Sequence, residues 1–152
     1  MHATFDQAFR ATRAEAAALV GHDRLRDLHH RSFGRHAWVA LRQLLLLALA
    51  VVLIVRYREL SWVWIPAAVL LGFVVFSFTV LLHEVVHGLV FARPRPLASR
   101  ALALLYAIPS GLSASQFRRW HLDHHKWLGT GGEDPKRRYL SPQRLRRWFK
   151  AL

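Results

Sequence analysis

The 152-residue sequence contains no cysteine, and this absence narrows its chemistry before any motif is considered. Disulfide bonds and thiolate metal ligands are both excluded. A metal site in this chain must therefore use histidine, aspartate or glutamate side chains. Residues 1–20 also lack an uninterrupted apolar core followed by a cleavage site, so we expect no signal peptide.

Acidic residues are scarce: nine Asp and Glu stand against 22 Lys and Arg, which gives a formal net charge of +13. Hydrophobic residues nevertheless make up 53% of the chain. This combination is unusual in a soluble domain and typical of a membrane protein whose apolar segments have basic flanks. Because the basic residues sit just outside the apolar runs, we expect a membrane rather than a nucleic-acid partner.

Two apolar runs predict membrane-spanning helices. The first, Ala37–Val55, crosses a hydrocarbon core of about 30 Å if Arg42 extends to the interface. The second, Ser61–Leu82, has 22 residues without a charge. We therefore predict an all-α integral membrane protein with transmembrane helices at 37–55 and 61–82, after an N-terminal segment of residues 1–36. The positive-inside rule puts both termini in the cytoplasm.

Shorter elements are predicted around these spans. They are a helix ending at Gly21 (Ala8–Val20), an extension of the second span to about Ala92, an interfacial segment (Leu97–Pro109), a helix at Gln116–Leu128 and a basic amphipathic stretch (Gln143–Leu152). Four histidines of the N-terminal segment are expected to face solvent or headgroups: His22, His29, His30 and His36.

Two groups of histidines carry the chemistry. The first, His83 and His87, lies in H-E-V-V-H, and the second, His121, His124 and His125, lies in W-H-L-D-H-H-K. On a helix, residues three and four apart share a face, and neutral imidazoles bind transition metals. Two such faces brought together beside a membrane can hold metal.

Two carboxylates lie next to these histidines in the sequence, and two roles are possible for them. Glu84 and Asp123 either accept hydrogen bonds from ligand imidazoles, and so fix their tautomers, or are solvated surface groups. We predict no catalytic residue beyond the metal ligands.

Two other interpretations remain open. His83 to His87 also satisfies H-E-x-x-H, the pattern of a zinc protease with Glu84 as general base. An intramembrane protease would need a third ligand, for which Glu133 or Asp134 could serve, and it would leave the second histidine group without a role. The histidines could instead be ordinary surface residues, although two groups with helical spacing beside a membrane favour a site.

At these residues the sequence resembles the membrane fatty acid desaturases. His83-x-x-x-His87 after a long apolar helix, followed by His121-x-x-His124-His125, is similar to the first two histidine boxes of that family. The context Trp120 to Lys126, with Gly129 and Asp134-Pro135 beyond it, is similar to the branch of sphingolipid delta-4 desaturases. The resemblance covers roughly residues 35–140.

The resemblance implies a lipid-metabolising oxidoreductase in which the five histidines hold two irons. Such an enzyme uses O₂ and two electrons, supplied by a donor of the cytochrome b5 or ferredoxin type, to introduce a double bond into the acyl chain of a membrane lipid. Related lipid hydroxylases carry similar boxes and stay an alternative. A catalytically inactive membrane protein descended from the family is another.

The sequence departs from the family's pattern in one respect. Desaturases have a third box, His-x-x-His-His, after further membrane helices, whereas no histidine follows His125 here. Residues 37–152 therefore resemble a partial desaturase domain, with boxes at 83–87 and 121–125. We expect the 152 residues to be inactive alone.

Overall fold

The computed structural model describes residues 5–21, 23–24, 27, 31–128 and 134–136, and every regular element in this part is a helix. The helices are α1 (Phe5–Val20), α2 (Phe33–Arg56), α3 (Ser61–Val86), α4 (Pro96–Ala107) and α5 (Ala114–Lys126). The all-α class is confirmed. The chain forms two compact units, residues 30–116 and residues 1–29 with 117–152. The stretch Gln143–Leu152 and three histidines of the N-terminal segment, His22, His29 and His30, lie outside the described residues.

Helices α2 and α3 are long and apolar enough to cross a membrane, at 24 and 26 residues. A rise of 1.5 Å per residue makes them about 36 and 39 Å long, which exceeds the hydrocarbon thickness of about 30 Å. Large apolar side chains lie exposed along both helices, among them Leu45, Val52, Val55, Val69, Phe73 and Phe76. Exposed apolar surface of this extent suits lipid rather than water, and it indicates an integral membrane protein.

Helix α2 begins at Phe33, four residues before the predicted start of the first span. The Ser32 hydroxyl caps it by accepting a hydrogen bond from the Arg35 backbone N–H at 3.4 Å. The interval 33–36 is therefore helical, although it was predicted to belong to the segment before the span. The division of the chain into domains at residues 36 and 37 stays a prediction.

Helix α2 packs against α3, and α3 packs against α4. Three buried alanines, Ala40, Ala50 and Ala67, lie on α2 and α3, where small side chains let helix backbones approach closely. Phe78 of α3 and Tyr106 of α4 are fully buried, with ring centroids 6.1 Å apart. Small residues and this aromatic contact therefore contribute to the packing between these helices, together with buried aliphatic side chains such as Leu82.

Helix α3 ends at Val86 rather than near Ala92, so the predicted extension is wrong. Gly88 adopts φ +66, its N–H donates to the Val85 carbonyl at 3.0 Å, and the Leu89 N–H donates to the Glu84 carbonyl at 3.0 Å. This pair of bonds is a Schellman motif, which needs a left-handed residue that glycine adopts without strain. Pro94 and Pro96 could have ended a helix that continued to Ala92, but Gly88 ends it first.

The start of α3 determines where its proline lies in the helix. The helix begins at Ser61, so Pro66 stands inside it, past the first turn. Proline has no N–H, and the carbonyl four residues earlier, that of Trp62, loses its usual helical donor.

The remaining helices agree with the sequence prediction in kind and differ at their ends. Helix α1 ends where predicted, with Gly21 at φ +81 and its N–H donating to the Ala17 carbonyl. The segment predicted to be interfacial forms helix α4, which has Pro96 at its first turn. Helix α5 begins at Ala114, and the Ser113 hydroxyl accepts from the Gln116 N–H at 3.4 Å.

Candidate metal centre

The first histidine group lies at the end of α3. His83 is in the last turn and His87 is the C-cap residue, one position before the glycine that ends the helix. Their rings are neighbours, with centroids 4.6 Å apart, and the ring nitrogens that they offer lie within 4.8 Å of each other. Both side chains are partly exposed. The predicted shared face of His83 and His87 is therefore present.

Glu84, between these histidines, is bonded to a residue that sequence reasoning missed. His36 of α2 is buried, and its Nδ1 lies 2.8 Å from Glu84 Oε2. Its Nε2 lies 2.9 Å from the hydroxyl of Tyr106 on α4. The expectation that His36 faces solvent or headgroups is therefore wrong. Its partners are 48 and 70 residues away along the chain, so no local pattern reveals them.

Burial and the nearby Glu84 charge raise the pKa of Tyr106 to about 12. Burial is the larger cause. The phenol therefore keeps its proton at any physiological pH and remains a hydrogen-bond donor.

The second histidine group occupies the last two turns of α5. The His121 and His125 rings meet edge to face with centroids 4.5 Å apart, and their Nε2 atoms are separated by only 3.0 Å. His121 is buried and His125 is exposed. The predicted spacing of four residues therefore places the Nε2 atoms of His121 and His125 next to each other.

His124, the third member of this group, is held by a carboxylate. Its Nδ1 lies 2.6 Å from Asp134 Oδ1, and the same oxygen accepts from the Lys136 N–H at 2.9 Å. Asp134 is 2% exposed. A carboxylate only accepts, so His124 Nδ1 carries the proton and its Nε2 is left with the lone pair that a metal requires.

The two carboxylates predicted to support the histidines have different surroundings. Glu84 contacts His36. Asp123 is exposed, and the carboxylate that contacts a histidine of the second group is Asp134. The assignment of Asp123 to support a ligand stays a prediction. The sequence does hold a signal for Asp134, because an Asp-Pro pair follows the glycine-rich break after α5. From the sequence, Asp134 is a possible protease ligand and part of the context similar to the delta-4 desaturases, but it is not predicted to contact a histidine.

Two aromatic rings pack on the second group. Phe117 stacks on His121 with an interplanar angle of 5°, and Trp120 stacks on His124 with an angle of 18°. Each aromatic residue lies four positions before its histidine, the spacing of neighbours on a helix. The stacking limits the orientations that these two imidazoles adopt.

Comparison with known proteins decides the family. The family model described as fatty acid desaturase matches residues 59–152, which include both histidine groups. The chain belongs to the fatty acid desaturase family.

Curated desaturases are similar over part of their length. The sphingolipid delta(4)-desaturase/C4-monooxygenase DES2 of Homo sapiens is 34% identical over 118 residues, which cover 76% of this chain and 34% of that protein. The sphingolipid delta(4)-desaturase DES1 of Drosophila melanogaster is 34% identical over 100 residues, 64% of this chain and 30% of that protein. This desaturase-family chain thus spans about a third of the length of these relatives. No solved structure matches it significantly.

Proposed function

We propose that this chain serves the O₂-dependent introduction of a double bond into a lipid acyl chain, with iron held by the five histidines of both groups. The observation that carries the proposal is the His121–His125 pair, whose Nε2 atoms lie 3.0 Å apart. Two nitrogens about 2.1 Å from one metal and at right angles to each other are about 3 Å apart. The pair therefore already has the spacing of adjacent ligands on one ion.

The donor set fits a first-row transition metal. All the proposed ligands, His83, His87, His121, His124 and His125, are imidazoles, and the chain has no thiolate to compete. Imidazole suits iron as well as zinc, so the ligands alone do not choose between these metals. Iron with O₂ supplies the oxidising power that removes hydrogen from an unactivated carbon, which no side-chain acid or base can do.

The alternative of a zinc protease is less well supported. Its general base would be Glu84, which must reach a water on the metal. Here Glu84 Oε2 is bonded to His36, and Asp134, which could have been a third ligand, is bonded to His124. Family membership also favours the desaturase. Both carboxylates then act by orienting imidazoles.

A cavity beside the first histidine group supports a lipid as the substrate. It has a volume of about 400 Å³ and combines apolar walls with three arginines and His87. The residues that matter here are Val85, Val90, Phe91, Arg31, Arg93 and Arg95. Apolar walls suit a hydrocarbon chain and guanidinium groups suit the polar end of a lipid. We propose a membrane lipid of the sphingolipid type, since that is the class in the relatives' names.

The metal is tested first, on the purified chain. We expect the chain as isolated from cells grown with iron to contain iron, measured by elemental analysis. The two metals are not offered in equal amounts, because imidazole sites bind Zn²⁺ more tightly than Fe²⁺. Replacing His87 and His125 together with alanine should abolish the bound iron, whereas His22→Ala, outside both groups, should not. One zinc per chain would favour the protease. A chain without any bound metal would favour the catalytically inactive descendant of the family.

The oxidation is tested next, with a saturated sphingolipid, O₂ and a reduced donor of the cytochrome b5 or ferredoxin type. Five imidazoles are too few to complete the coordination of two irons, so we expect no product from these residues alone. Product should appear when the third histidine box is supplied by a co-expressed C-terminal part of the human relative.

In the complemented system, His124→Ala should abolish the product. Because that relative's name also contains C4-monooxygenase, the assay scores hydroxylated as well as unsaturated lipid. Product formation by the isolated chain would show that five imidazoles are enough for activity, contrary to our expectation. Turnover that persists in His124→Ala would overturn the assignment of this ligand.

A further inference from the structure

His36 is tied at both ring nitrogens to two different helices. Nδ1 lies 2.8 Å from Glu84 Oε2 on α3, and Nε2 lies 2.9 Å from the Tyr106 hydroxyl on α4. His36 itself is on α2, and all three residues belong to the same compact unit. Both His36 and Tyr106 are buried. The family match starts at residue 59 and does not include His36.

The chemistry of the three groups fixes the direction of these bonds. A carboxylate only accepts, so His36 Nδ1–H donates to Glu84. A neutral imidazole has one N–H, so Nε2 accepts from the Tyr106 hydroxyl, which keeps its proton because its pKa is raised to about 12. Phenol, imidazole and carboxylate thus form one directed chain in which both ring nitrogens of His36 have a partner.

Glu84 lies between the two histidines of the first group, so its position is linked to theirs. It lies in the final turn of α3, directly after His83 and three residues before His87. Its backbone carbonyl closes the Schellman motif, and its side chain is bonded to His36. A helix end normally frays, since its last carbonyls have no helical donor. The bond to His36 instead connects this end to two other helices.

We propose that His36 and Tyr106 are positioning residues, which hold Glu84 and thereby set the direction in which His83 and His87 present their imidazoles. This proposal rests on the proposed function, because it takes His83 and His87 as metal ligands. Neither His36 nor Tyr106 is a catalytic residue in this role, since each acts through Glu84.

A first experiment measures the orientation of the helix end without metal. The chain has no cysteine, so spin labels attach only at introduced sites, and Val55→Cys with Leu89→Cys uses two exposed positions. Pulsed electron paramagnetic resonance spectroscopy gives the distribution of distances between the two spin labels. We expect His36→Ala to broaden it clearly and Tyr106→Phe, which removes only a hydroxyl, to broaden it less. Tyr57→Phe and Glu59→Gln, in the exposed turn after α2, should leave it unchanged.

A second experiment measures the affinity and visible spectrum of bound Co²⁺ in the full chain. Loss of a group that orients ligands lowers metal affinity about 10- to 100-fold, and we expect that loss for His36→Ala. Glu84→Gln keeps an oxygen that accepts from His36 and should retain most of the affinity, whereas Glu84→Ala should not. The Co²⁺ spectrum should shift in the variants that lose affinity.

The outcomes separate the two proposals. A lower melting temperature in His36→Ala and Tyr106→Phe, with unchanged label distances and Co²⁺ affinity, would mean a purely structural contact and would overturn the positioning role. Failure of the unmodified chain to bind Co²⁺ or iron would overturn the proposed function. The label distances would still decide whether His36 orients the end of α3.

Discussion

Asp134 Oδ1 accepts hydrogen bonds from both His124 Nδ1, at 2.6 Å, and the Lys136 backbone N–H, at 2.9 Å. The backbone bond fixes the carboxylate, and the carboxylate in turn fixes the imidazole. Because Asp134 is almost completely buried, water does not compete for either bond. His124 is therefore oriented before any metal arrives.

We expect Asp134→Asn to weaken metal binding by about 10- to 100-fold, because an amide that turns its NH₂ toward His124 no longer selects the tautomer with a proton on Nδ1. Equilibrium dialysis with Fe²⁺ under anaerobic conditions measures the affinity. Asp123→Asn is the comparison, since the sequence makes that exposed carboxylate a candidate for the same role. A larger loss at Asp123 than at Asp134 would contradict the assignment from the structure.

The end of α3 gives a prediction on stability. Gly88→Ala should destabilise the fold by about 1–2 kcal/mol, because a side chain is strained at φ +66. Gly72→Ala is the matched control inside α3, where an added methyl group meets nothing within 4 Å. That change should stabilise the helix by about 0.5–1 kcal/mol. Unfolding in detergent measures both free energies, and effects of equal sign would refute this account of the helix end.

The packing of α2 against α3 gives a second prediction on stability. Ala50 is fully buried, so Ala50→Leu should cost about 1–3 kcal/mol by overpacking. Val51→Leu, at the adjacent exposed position, should change the free energy of unfolding by less than about 0.5 kcal/mol. If the two variants unfold alike, Ala50 does not lie in a close helix contact.

The orientation in the membrane is a further prediction. The positive-inside rule and the two long helices put both termini in the cytoplasm and the turn around Arg58 on the other side. Reporter fusions at residue 58 and at the C-terminus should therefore report opposite compartments. The same compartment for both would rule out two spans.

The sequence predicted what depends on local pattern. The long uncharged run of α3 and the spacing of four residues within each histidine group are readable because periodicity along a helix is a local property. The end of α3 was missed although Gly88 is a local signal, because the apolar pattern continues past it. Here the backbone freedom of one glycine outweighs hydrophobic continuity.

What could not be predicted depends on contacts distant in the chain. The burial of His36 follows from the packing of α2 against α3 and of α3 against α4, which brings Glu84 and Tyr106 to it. An isolated histidine near the start of an apolar helix gives no sign of these partners. The pairing of His124 with Asp134 spans only 10 residues, but it depends on how the chain turns after α5.

The position of His36 separates two stages of assembly in the bilayer. Long apolar helices insert individually, and side-by-side association follows as a later step. The bonds from His36 to Glu84 and Tyr106 join three helices across 48 and 70 residues, so they form only in the later step. Defects at His36 would therefore leave a protein that is correctly inserted yet incompletely associated, a state that cellular quality control would meet inside the membrane.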